Sequence, residues 1–218
     1  MPNWCYNNIS ITGSPKKIGR INAVIDILKN STDENKKNNL FKELIGLPPN
    51  TDMEEYNNQG WYGTNVEWFG TKWDVDVDFV AHQDTDHIEL AGETAWSPPI
   101  NFCIELARTY GVQVEMYYEE PGSDFCGKTF IDEEGGASEE DYEYQEGVYR
   151  FEGFNEWYNR EFDSNMDFLI DCLNDDDTTP LELITDHYGF LTEDEIKECA
   201  KDLEEYVKKH TKESEQQV

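Results

Sequence analysis

The apolar residues between positions 4 and 118 follow two periods in turn, and this pattern constrains the fold more than any other feature. Residues 4–12 alternate as in a half-buried strand, whereas residues 15–28, after the start signal Ser14-Pro15, carry isoleucine and leucine at helical spacing. The two patterns then recur as strand 73–79, strand 88–96, helix 97–110 and strand 112–118. The sequence therefore predicts the order strand–helix–strand–strand–helix–strand.

That order predicts an α+β fold of the ferredoxin-like type, a split βαβ antiparallel sheet with two helices on one face. We expect this domain to occupy residues 1–130, with a polar insertion at about 31–60 that contains a short helix near Leu40–Ile45. The fold name describes topology only. The cysteines are too widely spaced in the sequence to hold an iron–sulfur cluster.

Residues 131–218 are expected to form an acidic extension with strands first and helices after them. Thr192 and Glu195 match a capping box, which predicts the start of the last helix. That helix carries an apolar stripe from Ile196 to Val207. The other predicted elements are strands at Phe125–Ile131 and Gly147–Phe154, an acidic loop at Asp132–Glu146 between them, and helices at 155–174 and Thr179–Tyr188.

Charge limits the classes of function that the chain can have. The sequence contains 48 acidic and 17 basic residues, for a formal net charge of −31, and residues 131–218 hold 28 of the acidic residues. Such a surface repels nucleic acid and anionic membranes and attracts basic surfaces over about one Debye length. We therefore expect no direct binding to nucleic acid or membrane.

The cysteines and the N-terminus suggest a compartment. The five cysteines lack a C-x-x-C pair and are expected to be free thiols, mostly in the core, as is usual in a reducing cytosol. The first residues show no signal-peptide pattern, and no apolar run approaches the length of a membrane span. We expect a cytoplasmic protein that acts in a host cell.

Four short motifs occur in order along the first 130 residues, and together they resemble the YubB-like proteins of phages and conjugative plasmids. The motifs are Met1-Pro2-Asn3-Trp4-Cys5-Tyr6-Asn7-Asn8, Gly70-Thr71-Lys72-Trp73-Asp74, Thr94-Ala95-Trp96-Ser97-Pro98-Pro99, and Tyr117-Tyr118-Glu119-Glu120-Pro121-Gly122 leading to Phe125-Cys126-Gly127. The resemblance implies a ferredoxin-like domain and a mobile-element accessory protein, a class that includes many antagonists of host defence. It implies no catalytic residue and no particular target.

Asp74, Asp76 and Asp78 alternate with apolar residues and are predicted to stand on the solvent face of a strand. They could form an ordinary solvated face or a face that imitates phosphate groups. A calcium loop is less compatible with the sequence, because Phe79 replaces the glycine and Thr85 the glutamate that such a loop requires. His82 and His87 have no evident third ligand, so we predict no metal and no cofactor.

The tryptophans at 4, 61, 68, 73 and 96 raise the alternative of a base-stacking platform. Such a platform requires cationic surroundings, which this acidic chain lacks, so packing in the core or at a sheet edge is the preferred interpretation. The sequence contains no phosphate-binding loop, nucleophile elbow or dinucleotide fingerprint. We therefore do not expect an enzyme.

The leading hypothesis is a phage or mobile-element protein that binds and inhibits a basic, nucleic-acid-binding host protein through an acidic, DNA-mimicking surface. A restriction or CRISPR nuclease would be a target of this type. The candidate partner-binding residues are Asp175, Asp176, Asp177, Glu139, Glu140 and Asp141, with Asp74, Asp76 and Asp78 as a second face.

Three other interpretations remain open. The acidic residues could serve solubility alone. The apolar stripe of the last helix could form a homodimer seam in a scaffolding module. The third alternative is a metal-dependent enzyme.

Overall fold

The computed structural model describes residues 3–175 and 178–215, and the chain divides into two compact units, Met1–Tyr144 and Gln145–Val218. A six-stranded antiparallel sheet with the order β2-β3-β1-β4-β5-β6 organises the first unit. Its strands are β1 (Trp4–Thr12), β2 (Val80–Gln83), β3 (His87–Ala95), β4 (Gln113–Glu120), β5 (Phe125–Ile131) and β6 (Ala137–Tyr142). Its helices are α1 (Pro15–Lys29), α2 (Glu34–Lys37), α3 (Leu40–Ile45), α4 (Met53–Glu55), α5 (Trp61–Phe69) and α6 (Ile100–Tyr110).

The core of the first unit lies on one face of this sheet. In β1, Cys5, Ile9 and Ile11 are fully buried and Asn7 is nearly so, whereas the residues that alternate with these four are exposed or half-buried. The apolar stripes of α1 and α6 belong to the same core, which is why both helices lie against this face. The helix residues in the core are Ile18, Ile21, Ile25 and Leu28 of α1, and Phe102, Cys103, Leu106 and Ala107 of α6.

The predicted ferredoxin-like order is confirmed, since β1, α1, β2, β3, α6 and β4 follow one another as expected. The sheet also continues beyond the predicted domain end near residue 130. β6 pairs with β5 from Cys126↔Tyr142 to Ile131↔Ala137, so part of the predicted acidic loop is a strand, and the first unit ends at Tyr144.

The predicted strand at residues 73–79 is wrong. Residues 77–79 form a 3-10 turn, and the second strand comes later, at Val80–Gln83. The alternation of valine and aspartate imitates a strand, but Asp74 accepts a hydrogen bond from the Val75 N–H and Asp76 accepts one from the Asp78 N–H. Such local bonds compete with the strand ladder.

The polar insertion is more helical than the sequence suggested. The short helix predicted near Leu40–Ile45 is confirmed as α3, and Leu40, Phe41 and Leu44 are buried. The helix α5, which was not predicted, follows a π-helical turn at Tyr56–Gly60 and ends at Gly70, whose φ of 85° is left-handed. Glycine suits this helix end because it lacks the Cβ that disfavours that conformation.

The second unit is helical and has an aromatic core. Trp157 and Phe162 are fully buried and Tyr188 is nearly so, with Phe190 against Trp157 at 5.7 Å between ring centroids. The helices are α7 (Tyr144–Glu152), which starts at the last residue of the first unit, α8 (Phe154–Trp157), α9 (Met166–Asp175), α10 (Pro180–His187) and α11 (Glu193–Glu215). A π-helical turn at Tyr158–Phe162 and a 3-10 turn at Asp163–Asn165 join α8 to α9.

The capping box of the last helix is confirmed, because the Thr192 N–H donates to Glu195 Oε2 at 2.9 Å and the Glu195 N–H donates to Thr192 Oγ1 at 3.4 Å. The predicted strand at Gly147–Phe154 is wrong. That segment begins in α7, where Arg150 pairs with Glu146 one helical turn earlier.

None of the described helices is long and apolar enough to cross a membrane. The five cysteines are free thiols as predicted, and all except Cys172 are buried. Burial raises the pKa of Cys5 and of Cys199 to about 12. These thiols are therefore poor nucleophiles at neutral pH.

Gly92 of β3 supplies a test of the packing between the sheet and the turn at 77–79. A Cβ at Gly92 would lie 2.7 Å from Cδ2 of Phe79, and its φ of 153° disfavours any other residue. We expect Gly92→Ala to lower the free energy of unfolding by about 2–4 kcal/mol. Gly19, inside α1 with nothing within 4 Å of an added Cβ, is the control, and Gly19→Ala should raise stability by about 0.5–1 kcal/mol. Urea unfolding followed by circular dichroism measures both, and equal effects would contradict the packing described.

Candidate functional site

The second face of the sheet carries polar and aromatic side chains. The residues of β1 that alternate with the core, among them Trp4, Tyr6 and Asn8, are exposed. Tyr6 is 49% exposed, and Phe130 of β5 is 47% exposed. An aromatic side chain left in contact with water is costly, so exposed aromatic residues on an ordered sheet mark a candidate binding surface.

Four carboxylates surround β1 on this face, and the strand register fixes their places. Tyr6 pairs with Glu93 of β3 on one side and with Glu119 of β4 on the other. Ser10 pairs in the same way with Glu89 and Glu115. The two glutamates that flank one residue of β1 lie two strand spacings apart, about 10 Å across the sheet. Tyr6 and Ser10 are four residues apart, so the two sets of glutamates lie about 13 Å apart along the strands.

We call Glu89, Glu93, Glu115 and Glu119 the acidic sheet face. Aromatic residues lie among its members, and the Tyr117 hydroxyl donates a hydrogen bond to Glu119 Oε2 at 2.8 Å. Glu93 raises the pKa of Tyr6 by accepting its hydroxyl hydrogen bond. The Tyr117 hydroxyl thus restrains the Glu119 carboxylate.

Several cations of the first unit are engaged with carboxylates outside the acidic sheet face. Lys17 pairs with Glu133, Lys37 with Glu34, and Arg108 with Glu105. On the sheet face itself, Lys128 of β5 stands between Tyr117 and Glu140 in the strand register. His87 Nε2 lies 3.8 Å from Glu89 and adds a positive charge only when it is protonated.

A cluster of aromatic residues lies at the end of the sheet where β1 begins and β3 ends. The rings of Trp4 and Trp73 are 5.9 Å apart between centroids and tilted by 44°. The ammonium of Lys72 lies 4.7 Å from the centroid of Trp73 and 4.4 Å from that of Trp96. Trp4, Trp73 and Trp96 are 40%, 38% and 42% exposed, so these three lie outside the core, and packing at a sheet edge stays a prediction for them. We call Trp4, Tyr62, Lys72, Trp73 and Trp96 the tryptophan end.

The backbone at the tryptophan end has a left-handed residue that neighbouring hydrogen bonds stabilise. Trp96 has a φ of 74°, in the left-handed region that costs a bulky residue free energy. Its N–H donates to the Asn3 carbonyl at 2.9 Å, and the buried Thr71 hydroxyl donates to the Ala95 carbonyl at 3.1 Å. These bonds hold Trp96 in a conformation that it would otherwise avoid.

The four sequence motifs meet at this end of the sheet. Asn3 Nδ2 donates to Ser123 Oγ at 2.8 Å, and Asn7 Nδ2 donates to Thr94 Oγ1 at 2.9 Å. Ser97 Oγ donates to the Gly70 carbonyl at 2.6 Å. Segments far apart in the sequence therefore build one local structure.

A comparison with known proteins agrees with the fold. Residues 69–161 match the family described as a ferredoxin-like domain in Api92-like protein. The match covers less than half of the chain and extends from the end of α5 into the second unit. It supports the ferredoxin-like part of the resemblance noted above, but its description is Api92-like and not YubB-like. No curated protein and no solved structure matches the chain.

The candidate residue Asp74 does not stand on an open strand face, which corrects the prediction. Its carboxylate is half-buried and accepts hydrogen bonds from the N–H groups of Phe41 and Lys42 at 2.8 and 3.0 Å, at the start of α3. The Val75 N–H donates to it as well. Asp74 thus satisfies helix N–H groups that have no partner inside the helix.

Asp76 and Asp78 are both exposed, but on a turn and not on a strand. Asp76 accepts the Asp78 N–H at 2.8 Å and starts the 3-10 turn. Among the candidates on β6, Glu140 lies on the same sheet face as Lys128, whereas Glu139 and Asp141 point to the opposite face. The Tyr118 hydroxyl donates to Glu139.

The acidic run Asp175–Asp177 begins at the end of α9. Asp175 is the last residue of α9, and Asp176 and Asp177 lie outside the described residues. In α11 three lysines pair with acids one turn away: Lys197 with Glu193 and Asp194, Lys201 with Glu205, and Lys208 with Glu204. These pairs offset part of the negative charge of that helix locally.

The apolar stripe of α11 packs within its own unit. Cys199 and Leu203 are fully buried, and Ala200 is nearly so. A homodimer through this stripe stays a prediction, but these three side chains are not available for it. Among the residues that the structure describes, no cluster of three histidine, cysteine or acidic side chains could hold a metal ion.

Sequence reasoning missed the acidic sheet face, although one signal was present. Glu115 and Tyr117 alternate with apolar residues in a strand whose position was predicted correctly. The pairing of strands is not encoded in any one segment, and only the register brings Glu93 and Glu119 to the two sides of Tyr6.

The half-buried carboxylate of Asp74 makes stability depend on pH. Burial raises its pKa to about 6, and this effect outweighs the three backbone donors. The pKa of Asp74 in the folded state exceeds the unfolded value of about 4. The contribution of Asp74 to the free energy of unfolding is therefore complete below pH 4 and is lost as pH rises through 6. We expect the stability advantage of the wild type over Asp74→Asn to shrink by about 2 kcal/mol between pH 4 and pH 6.5.

Urea unfolding of both proteins across this range measures the difference. Asp76→Asn removes an exposed carboxylate from the same segment and is the matched control, since it makes the same change in charge. An advantage over Asp74→Asn that stays constant or grows with pH would contradict the assignment.

Proposed function

We propose that this protein is a non-catalytic binding protein that engages the basic, nucleic-acid-binding surface of another protein. The observation that carries the proposal is the acidic sheet face, in which backbone pairing holds four carboxylates at set spacings around β1. Because the backbone positions are already fixed, only the side chains need to be ordered when a partner binds, so less conformational entropy is lost.

The array resembles a nucleic acid in one physical respect. DNA presents regularly spaced negative charges on a stiff support, and proteins that bind it supply lysine and arginine at matching positions. Exposed Tyr6 and Phe130 add contact area that duplex phosphates do not have. A partner with basic and apolar groups side by side fits this surface better than one with basic groups alone.

The first unit is favoured over the second as the main binding surface. Lysines pair with several acids of α11, whereas Lys17 and Arg108 of the first unit pair with Glu133 and Glu105, and Glu89 of the acidic sheet face lies near His87. The candidates Glu139, Asp141, Asp76 and Asp78 would contribute long-range attraction. Such attraction raises the association rate more than the final affinity.

The biological setting is part of the proposal. The resemblance to proteins of phages and conjugative plasmids supports a role in the host cytoplasm as an inhibitor of a defence protein that handles nucleic acid. A restriction or CRISPR nuclease has the required basic groove. Inhibition would follow if the acidic sheet face occupied the groove in place of DNA.

We expect capture of nucleic-acid-binding proteins from a bacterial lysate by the immobilised full chain, with affinity that falls at least about tenfold between 50 and 300 mM salt. A short DNA duplex should displace the captured proteins, since both would occupy the same groove. Mass spectrometry of the fractions eluted by salt, and by DNA, measures this.

A charge-matched pair of variants locates the surface. The first carries Glu89→Gln, Glu93→Gln, Glu115→Gln and Glu119→Gln, and the control carries Glu193→Gln, Glu198→Gln, Glu204→Gln and Glu205→Gln in α11. The first should lose most of the captured proteins, and the control should retain them. Equal losses would show that net charge alone is responsible, and capture that DNA cannot displace would contradict the proposed mode.

A further inference from the structure

A groove beside β3 has the size to hold one side chain of a partner. It has a volume of about 370 Å³ and is lined by residues 73–76, 78–79 and 91–95 together with Trp4. This volume is near the lower end of the range of ligand pockets, so it suits a long side chain and part of a backbone. We call it the edge groove.

The edge groove exists because β2 is short. β2 pairs with β3 only at Ile88–Leu90, so it does not cover the outer edge of residues 91–95. The Trp96 N–H donates to the Asn3 carbonyl, so Asn3 and Trp96 form a hydrogen-bonded pair at the end of β1 and β3. Along two antiparallel strands, hydrogen-bonded residue pairs alternate with pairs that are not hydrogen-bonded. By this alternation Gly92 and Thr94 direct their N–H and C=O groups to β1, and Glu93 directs its groups outward into the groove.

The outer edge thus offers a backbone docking point. The Thr71 hydroxyl donates a hydrogen bond to the carbonyl of Ala95, the next residue whose backbone groups point outward. This bond agrees with the outward direction assigned to Glu93. An extended segment from a partner can form the same paired bonds with Glu93 that a neighbouring strand would form. Phe79, whose ring packs on Gly92, closes the inner side of the groove.

The walls of the edge groove select a cation. Asp76, Asp78 and Glu93 are exposed carboxylates along it, and no lysine or arginine is among its lining residues. Trp4 and Trp73 form an aromatic wall. Carboxylates next to a tryptophan favour arginine over lysine, because the planar guanidinium stacks on the ring and donates two parallel hydrogen bonds to a carboxylate.

The structure contains a precedent for this contact. The ammonium of Lys72 lies 4.7 Å from the centroid of Trp73, so this ring already attracts a cation within the protein. Trp73 keeps 38% of its surface exposed. The ring therefore has area left for a second contact on the groove side.

From these observations we infer that the edge groove binds an arginine of a partner segment, and that this segment pairs with the outer edge of β3 as an added strand. The segment pairs with Glu93, and its guanidinium lies against Trp4 and Trp73 within reach of Asp76 and Asp78. The inference rests on the proposed function, because it names the chemistry of the partner's contact. It also gives that contact a specificity that charge alone does not supply.

The test uses the full chain and a defined probe. The probe is an acetylated and amidated peptide of alternating serine and valine with one central arginine, titrated while the indole N–H signals of the protein are followed by NMR. A second peptide carries citrulline, which has the shape of arginine without its charge. We expect the arginine peptide to shift the Trp4 and Trp73 signals and the citrulline peptide to bind at least tenfold more weakly.

Two tryptophan variants are matched. Trp73→Ala should weaken binding of the arginine peptide at least tenfold, whereas Trp96→Ala removes an equally exposed ring that does not line the groove and should change it less than threefold. A dispersed amide spectrum shows that each variant is folded. Asp78→Asn, which leaves both rings, should also weaken binding and supplies a second reading if Trp73→Ala fails to fold.

Three outcomes would overturn the inference. They are no shift of the Trp73 signal at millimolar peptide, equal binding of the citrulline peptide, and tighter binding of a neutral oligosaccharide such as cellohexaose at the same signals. Glu115→Gln with Glu119→Gln lies outside the groove and separates the two proposals. If this double variant loses lysate capture but still binds the arginine peptide, both proposals are supported. If it keeps both lysate capture and peptide binding, the proposed function is contradicted and the arginine site in the edge groove is retained.

Discussion

The antiparallel pairing of β1 with both β3 and β4 is the constraint on which the first unit depends. Because side chains alternate along a strand, one register places Ile9 and Ile11 under the helices and Tyr6 and Ser10 on the opposite face. The same register positions the carboxylates beside Tyr6 and Ser10. Core and candidate site are therefore two sides of a single arrangement, and a slip of one residue would destroy both.

The parts of the fold that followed from sequence are those in which the hydrophobic pattern and the local signals agree. β1, α1, α6 and β4 each combine a clean period with a recognisable start or end, and all four were predicted. Prediction failed where side-chain hydrogen bonds mattered more than the period. Asp74 is the clearest example, because its carboxylate caps α3, more than thirty residues earlier in the chain, and no local pattern reveals such a partner.

The candidate site was less accessible to sequence reasoning than the fold. Charge composition predicts a basic partner, but it favours the C-terminal part as the binding surface because most acids lie there. In α11, however, lysines at helical spacing pair with some of these acids. Sequence reasoning assigns the tryptophans to packing because base stacking requires cations. The exposed rings of Trp4 and Trp73 beside carboxylates fit a third possibility, a cationic side chain, that neither interpretation considers.

The outermost strand has a consequence of its own. β6 ends the sheet order, and its residues from Ala137 to Asp141 are exposed, three of them consecutive acids. Bare strand edges invite aggregation by joining to their own kind. Here two molecules meeting edge to edge would bring Glu139, Glu140 and Asp141 against like charges, so the strand resists fibre-like growth.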